Sequence, residues 1–152
     1  MLLPGNVMLA EVFTYRSTMP FSAVAGIDIN GDSAVTDYVP GTTRNIFNRG
    51  NNDAAMAAVN AWRALNRLAA LPVSQLDTNE YYDLDVRASK QLSVGGGRKL
   101  ELSFNVFNVL NRTNLLFNVN SSIITNALAP NFGQIQSALP KRQAQVGVRF
   151  TF

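Results

Sequence analysis

Gln143-Ala-Gln-Val-Gly-Val-Arg-Phe-Thr-Phe152 decides how the rest of the chain is read. With period two it sets Val146, Val148, Phe150 and Phe152 on one face and Gln143, Gln145, Gly147, Arg149 and Thr151 on the other. That is a β-strand with one apolar side. A strand of a soluble sandwich alternates in the same way, so the solvent of the apolar side has to be argued from the other strands.

Working outward, Tyr82-Asp-Leu-Asp-Val-Arg-Ala-Ser-Lys-Gln-Leu-Ser-Val94 repeats the pattern. Tyr82, Leu84, Val86, Ala88, Leu92 and Val94 are apolar or small, and Asp83, Asp85, Arg87, Ser89, Gln91 and Ser93 are polar. Gly95-Gly96-Gly97 is a turn, after which Leu100, Leu102, Phe104 and Val106 alternate with Lys99, Glu101, Ser103 and Asn105. If Val94 faces Arg98, then Leu92 faces Leu100, Gln91 faces Glu101 and Ala88 faces Phe104, so parity is kept throughout. The expected hairpin has one apolar and one polar wall. Lys90 interrupts the apolar wall close to the glycine turn, where its stem can snorkel to an interface. Asn108 interrupts it on the partner strand, where Phe107-Asn-Val-Leu-Asn111 changes phase and predicts a bulge.

Toward the N-terminus, Val7 to Arg16 is rich in strand formers, but neither Met8, Ala10, Val12, Thr14 nor Val7, Leu9, Glu11, Phe13, Tyr15 makes a cleanly polar face. Ser17-Thr-Met-Pro20 reads as a kink or bulge and Phe21 to Ile27 as strand again. The expectation is one long bent strand over about 5–27, with a hairpin as the alternative. The other strands are expected at about 80–94, 98–114 and 141–152. From Asp28 to Asn79 the alternation is lost. A helix is predicted from about Asp53 to Leu71, with Ala55, Val59, Trp62, Leu65 and Ala69 at helical spacing, Asn52 as N-cap and Pro72 as terminator. A second irregular stretch, about 115–140, holds Asn118, Asn120, Ser121, Ser122 and Pro130-Asn-Phe-Gly133. A short turn on one side and long excursions of about 28–79 and 115–140 on the other are the asymmetry of an outer-membrane barrel.

Composition narrows the function. The chain has 152 residues, a formal charge of +3, no cysteine and no histidine. Disulfides, thiolate or imidazole metal sites, and Ser-His or Cys-His catalysis are therefore ruled out. The positive charge forms no run or aromatic-linked stripe, which argues against nucleic acid. There is no apolar run long enough for a spanning helix, and Met-Leu-Leu-Pro-Gly-Asn-Val has none of the features of a signal peptide. An export signal is then expected upstream of Met1, with the chain as the C-terminal piece of a longer protein.

Several segments carry a family resemblance: Met19-Pro-Phe21, Asp28-x-Asn-Gly-Asp32, Gly41-x-x-Arg-Asn45, Asp83-Leu-Asp-Val-Arg-Ala-Ser-Lys90, Phe104-Asn-Val-Phe-Asn-Val-Leu-Asn-Arg-Thr-Asn114, Phe132-Gly133 and Arg142-Gln143. With the terminal Val146-Gly-Val-x-Phe150-x-Phe152, they resemble the C-terminal end of TonB-dependent outer-membrane receptors, above all the Oar-like group with an N-terminal carboxypeptidase-regulatory-like domain. The helical stretch has no counterpart in that likeness. The resemblance implies an all-β fold in which residues 1–152 are the C-terminal part of a transmembrane barrel, about four antiparallel strands with one helix in a long extracellular loop. It implies residence in the bacterial outer membrane, energy-coupled uptake of an unknown extracellular ligand, and no catalysis. It further implies contact with outer-membrane lipid, with the remainder of the barrel and its plug, and with TonB through parts absent from this chain. Val146, Gly147, Val148, Phe150 and Phe152 become the signal read by the barrel-assembly machinery. The alternatives are a soluble β-rich binding or adhesion module and a passive porin-like barrel.

Two clusters invite chemistry. Asp28-x-Asn30-x-Asp32, with Asp37 beyond, resembles the start of a calcium loop, because oxygens at alternate positions of a tight turn converge on a hard cation. Ser33 stands where the loop wants glycine, and Val39 where it wants a bidentate glutamate, so an exposed Asx-type turn is the competing reading. The sequence around these aspartates supplies no apolar pocket of the kind a catalytic acid/base pair needs, which argues against that reading. Asp83, Asp85, Arg87, Lys99, Glu101 and Arg149 fall on the polar walls, either as a charged lumen contacting plug or solute, or as cross-strand pairs.

Overall fold

Five strands lie in sequence order in one antiparallel sheet: β1 (Leu2–Leu3), β2 (Val7–Arg16), β3 (Tyr81–Ser93), β4 (Lys99–Phe107) and β5 (Gln143–Thr151). The computed structural model describes residues 1–118 and 123–152. Asn120, Ser121 and Ser122, read above as loop, lie outside the described residues. The chain divides into two units, one formed by Met1–Arg16, Tyr81–Asn114 and Leu139–Phe152, the other by Ser17–Glu80 and Leu115–Ala138.

In the first unit the glycine turn sets the register. Gly95, Gly96 and Gly97 all have positive φ, a run that residues with a Cβ adopt only under strain. The Val94 N–H donates to the Arg98 carbonyl at 3.1 Å and closes the hairpin. Leu92 then faces Leu100, Gln91 faces Glu101 and Ala88 faces Phe104, as parity demands. The pairing Leu9↔Ala88, Phe13↔Leu84 and Tyr15↔Tyr82 settles the ambiguous second strand by placing its odd residues on the apolar wall. On the other side Leu102 faces Val148 and Leu100 faces Phe150.

Strand extents differ from expectation at two places. The strand expected over 5–27 stops at Arg16, because Ser17–Glu80 leaves the sheet and Phe21 to Ile27 makes only isolated bridges inside the second unit. The strand expected to reach residue 114 stops at Phe107. Asn108 is not a bulge within the strand. It adopts φ 52°, and its side chain accepts the Arg112 N–H at 3.1 Å and donates to the Arg112 carbonyl at 2.9 Å, closing a tight turn.

The second unit takes the place of the two irregular excursions expected from the sequence. All the fully buried apolar side chains among the described residues lie in it, with Phe21, Phe47 and Phe132 at the centre and Ala23, Val39, Met56, Val59 and Ile123 around them. The Phe21 and Phe47 rings stack at 4.8 Å, and Phe132 meets Phe47 edge-on at 5.4 Å. The helix α1 (Asn52–Leu65) lays Ala55, Met56 and Val59 on this core. Its N-cap is Asn51, one residue before the expected Asn52, whose side chain instead accepts the Asn48 N–H at 2.7 Å. It ends well before Pro72: Arg67 turns to φ 58°, the Leu68 N–H reaches back to the Arg63 carbonyl and the Arg67 N–H to that of Ala64. This Schellman closure leaves Ala69 and Leu71 outside the helix.

Candidate functional site

The sheet presents two chemically distinct walls. Leu9, Phe13, Tyr15, Leu84, Val86, Ala88, Leu100, Leu102, Phe104, Val146, Val148 and Phe150 share one face by register. They are not packed into a protein core, and Phe13, Val146 and Val148 are each more than 60% exposed. A contiguous apolar surface of this extent needs a non-aqueous neighbour. The opposite wall carries Asp83, Asp85, Arg87, Lys99, Glu101, Ser103, Gln145 and Arg149. There Arg87 pairs with Glu101 at 3.1 Å, and Glu101 lies directly opposite Arg149.

The asparagines of the run from Phe104 to Asn114 fasten one end of this sheet. The Asn114 side chain accepts the Tyr82 N–H at 3.1 Å and donates to the Tyr82 carbonyl at 2.7 Å, imitating a neighbouring strand where none continues. The Asn108 N–H donates to Asp85 at 3.0 Å, and Arg112 covers the Tyr82 ring at 4.2 Å. The sequence reads this run as strand with a bulge at Asn108; the role of its asparagines as substitutes for a strand was not legible, because it depends on residues more than twenty positions away.

In the second unit Asp28, Asn30, Asp32 and Asp37 do converge. Their oxygens are taken up inside the loop: Asp28 accepts the Gly31 and Ser33 N–H groups at 2.6 and 2.8 Å, Asp32 accepts that of Ala34 at 2.8 Å, and Asp37 accepts that of Ile29 at 2.7 Å. Asn30 joins the carboxylates by donating to Asp32 and Asp37. The Ser33 and Gly31 bonds hold the Asp28 carboxyl below its ordinary value of 3.8. Ser33 takes φ 70°, so the left-handed turn forms without the expected glycine. Among the described residues no group of three or more acidic, histidine or cysteine side chains is placed to hold a metal ion.

A model of the outer membrane beta barrel domain matches residues 3–145 of the chain. The chain belongs to this outer-membrane β-barrel family. No curated protein and no solved structure matches it. Membership locates the chain in the bacterial outer membrane, where by the general pattern of such barrels an apolar face suits lipid and a polar face suits the interior. Among the described residues no helix is long and apolar enough to cross a membrane.

On the lipid wall of this barrel segment Lys90 faces Leu102 near the glycine turn, the position from which a lysine stem reaches an interface. Glu11, opposite Val86, is a second interruption and sits mid-strand. Of the terminal residues, Val146, Val148 and Phe150 lie on the lipid wall, Gly147 lies behind them against Ser103, and Phe152 follows the last paired residue. A Cβ on Gly147 would come within 2.6 Å of the Ser103 hydroxyl, so these two positions are matched in size.

Proposed function

We propose that this barrel segment is the C-terminal wall of a TonB-dependent receptor that takes up an extracellular ligand. The observation that carries the reading is where the chain places its core. Ser17–Glu80 and Leu115–Ala138, inserted between β2 and β3 and between β4 and β5, fold into one unit with its own buried aromatic centre. A passive pore has no need of so large a packed body on its outer loops, whereas a receptor needs a fixed surface to capture its ligand. The resemblance of Asp83 to Lys90, Phe104 to Asn114 and the terminal strand to such receptors supports the same reading. On this account the terminal strand is the signal for the assembly machinery, and the charged wall faces a plug supplied by other parts of the receptor. Energy arrives through TonB contacts outside these strands, and no bond chemistry is performed.

The test is electrical. The protein, purified from native outer membranes with an antibody against residues 28–71, is reconstituted in planar lipid. A plugged receptor stays closed at moderate voltage and conducts after urea releases the plug. Steady conductance before urea would overturn the receptor reading and leave the passive barrel.

A further inference from the structure

The second unit has an outer face that the core does not use. From Phe21 to Ala25 burial alternates, and the odd residues Phe21, Ala23 and Ala25 are sealed in the core at 0% exposure. The even residues Pro20, Ser22 and Val24 point away and line an open groove of about 560 Å³. Three neighbours hold this segment rigid. Phe47 donates to the Phe21 carbonyl at 3.1 Å, Val39 to that of Ala23 at 3.2 Å, and Val24 donates to the Thr125 carbonyl at 2.8 Å. The Asn79 side chain anchors Met19 through both its N–H and its carbonyl. Tyr38, bridged to Val24, and Phe117 add aromatic surface to the walls.

Among the described residues that line the groove, the exposed Arg44 is the one that carries a charge, and none is a carboxylate. The adjoining backbone is fixed, because the Asn45 N–H donates to the Ser22 hydroxyl at 2.8 Å. A groove whose described lining combines one arginine with Val24, Tyr38 and Phe117 and with the hydroxyl residues Ser22, Thr36 and Thr125 complements a ligand that joins one anionic head to an apolar body. The groove volume falls within the range of small-molecule sites, roughly 300–1,000 Å³.

We propose that this groove binds a small organic anion with an aromatic or branched apolar body, its carboxylate held by Arg44 and its body laid on Val24, Tyr38 and Phe117. The proposal rests on the receptor reading for its biological purpose but not for its test. Intact cells bearing the protein are irradiated with 4-benzoylbenzoate or with its uncharged amide, and labelled peptides are mapped by mass spectrometry. The carboxylate should label the groove residues Val24, Tyr38 and Phe117, and excess unlabelled 4-benzoylbenzoate should suppress that labelling. Arg44→Gln should lower it by about tenfold, to the level of the amide, because charge-assisted bonds are the strong ones. Arg49→Gln, at an exposed arginine outside the groove, should leave it unchanged. Equal labelling by acid and amide, or labelling indifferent to Arg44→Gln, overturns the groove assignment. Because the assay reads binding without uptake, a protein that conducts freely in planar lipid yet labels as described loses the receptor reading and keeps the site.

Discussion

At the scale of single residues, Arg63 ties distant parts of the second unit together. It is buried, and its guanidinium donates to the carbonyls of Ala69, Ala127 and Ala129 at 2.8, 2.7 and 3.0 Å, tying the end of α1 to a segment more than sixty residues away. Arg63→Ala strands three acceptors and should destabilise this unit by about 3 kcal/mol. Trp62, the chain's only tryptophan, donates to the Ala25 carbonyl at 3.0 Å within the same unit, so its fluorescence melt reports the loss directly. Asp28 gives a pH test. Its folded pKa lies below the ordinary 3.8 through the Ser33 and Gly31 N–H bonds, so the order it confers is fully present above 3.8 and is lost as pH falls through the folded value. Protection of the Gly31 and Ser33 amides, corrected for intrinsic exchange, should be flat above about pH 5 and fall in acid. Asp28→Asn offers one acceptor oxygen where the carboxylate offers two, and should weaken one of these amides at every pH.

At the scale of elements, the hairpin of β3 and β4 was readable residue by residue because a glycine turn pins its register and period two does the rest. The lone β2 was not, since both of its faces carry apolar side chains and only pairing with β3 chooses between them. Phe21 to Ile27 misled for a related reason: alternation announces an extended segment with two unlike faces but does not say whether a sheet or a packed unit covers the apolar one. The aromatic centre was invisible, because Phe21, Phe47 and Phe132 come from segments with no shared period. The aspartate turn was legible in its composition, while the groove beside Tyr38 and Arg44 exists only once three distant segments are brought together. The wall assignment has a direct test. Val86→Arg, on the lipid face at mid-strand, should cost about 2–4 kcal/mol, whereas Gln145→Arg on the interior face should be nearly neutral. Yields of folded, heat-modifiable protein in the outer membrane separate the two: equal yields would overturn the wall assignment, and a lower yield for Gln145→Arg would reverse the faces. Between β4 and β5, Gly147→Ala should cost about 1 kcal/mol by crowding Ser103, and Ser103→Ala should recover most of it in the double variant. Additive losses in that cycle would mean that the two positions do not meet.

At the scale of the whole molecule, the two units answer to different solvents. The second unit buries its apolar side chains in a core of its own and needs only water outside. The sheet buries almost nothing apolar within itself. Among the described residues its β5 is paired on one side only, and β2 meets only the two residues of β1 on its other side. In lipid such open edges are untenable, and even small membrane barrels close with about eight strands, so the receptor reading proposed above calls for further strands at both edges. Folding should therefore come apart by solvent. When the 152-residue chain is refolded from urea without detergent, Trp62 should regain the emission of a partly buried indole and the amides of Phe21, Phe47 and Val59 should be protected, while those of β2 to β5 exchange freely. Protection of the strands should appear only when detergent and the neighbouring strands are supplied. If Trp62 and the strands gain protection together, and only in detergent, the second unit does not fold by its own core, and capture at its surface would depend on barrel closure rather than precede it.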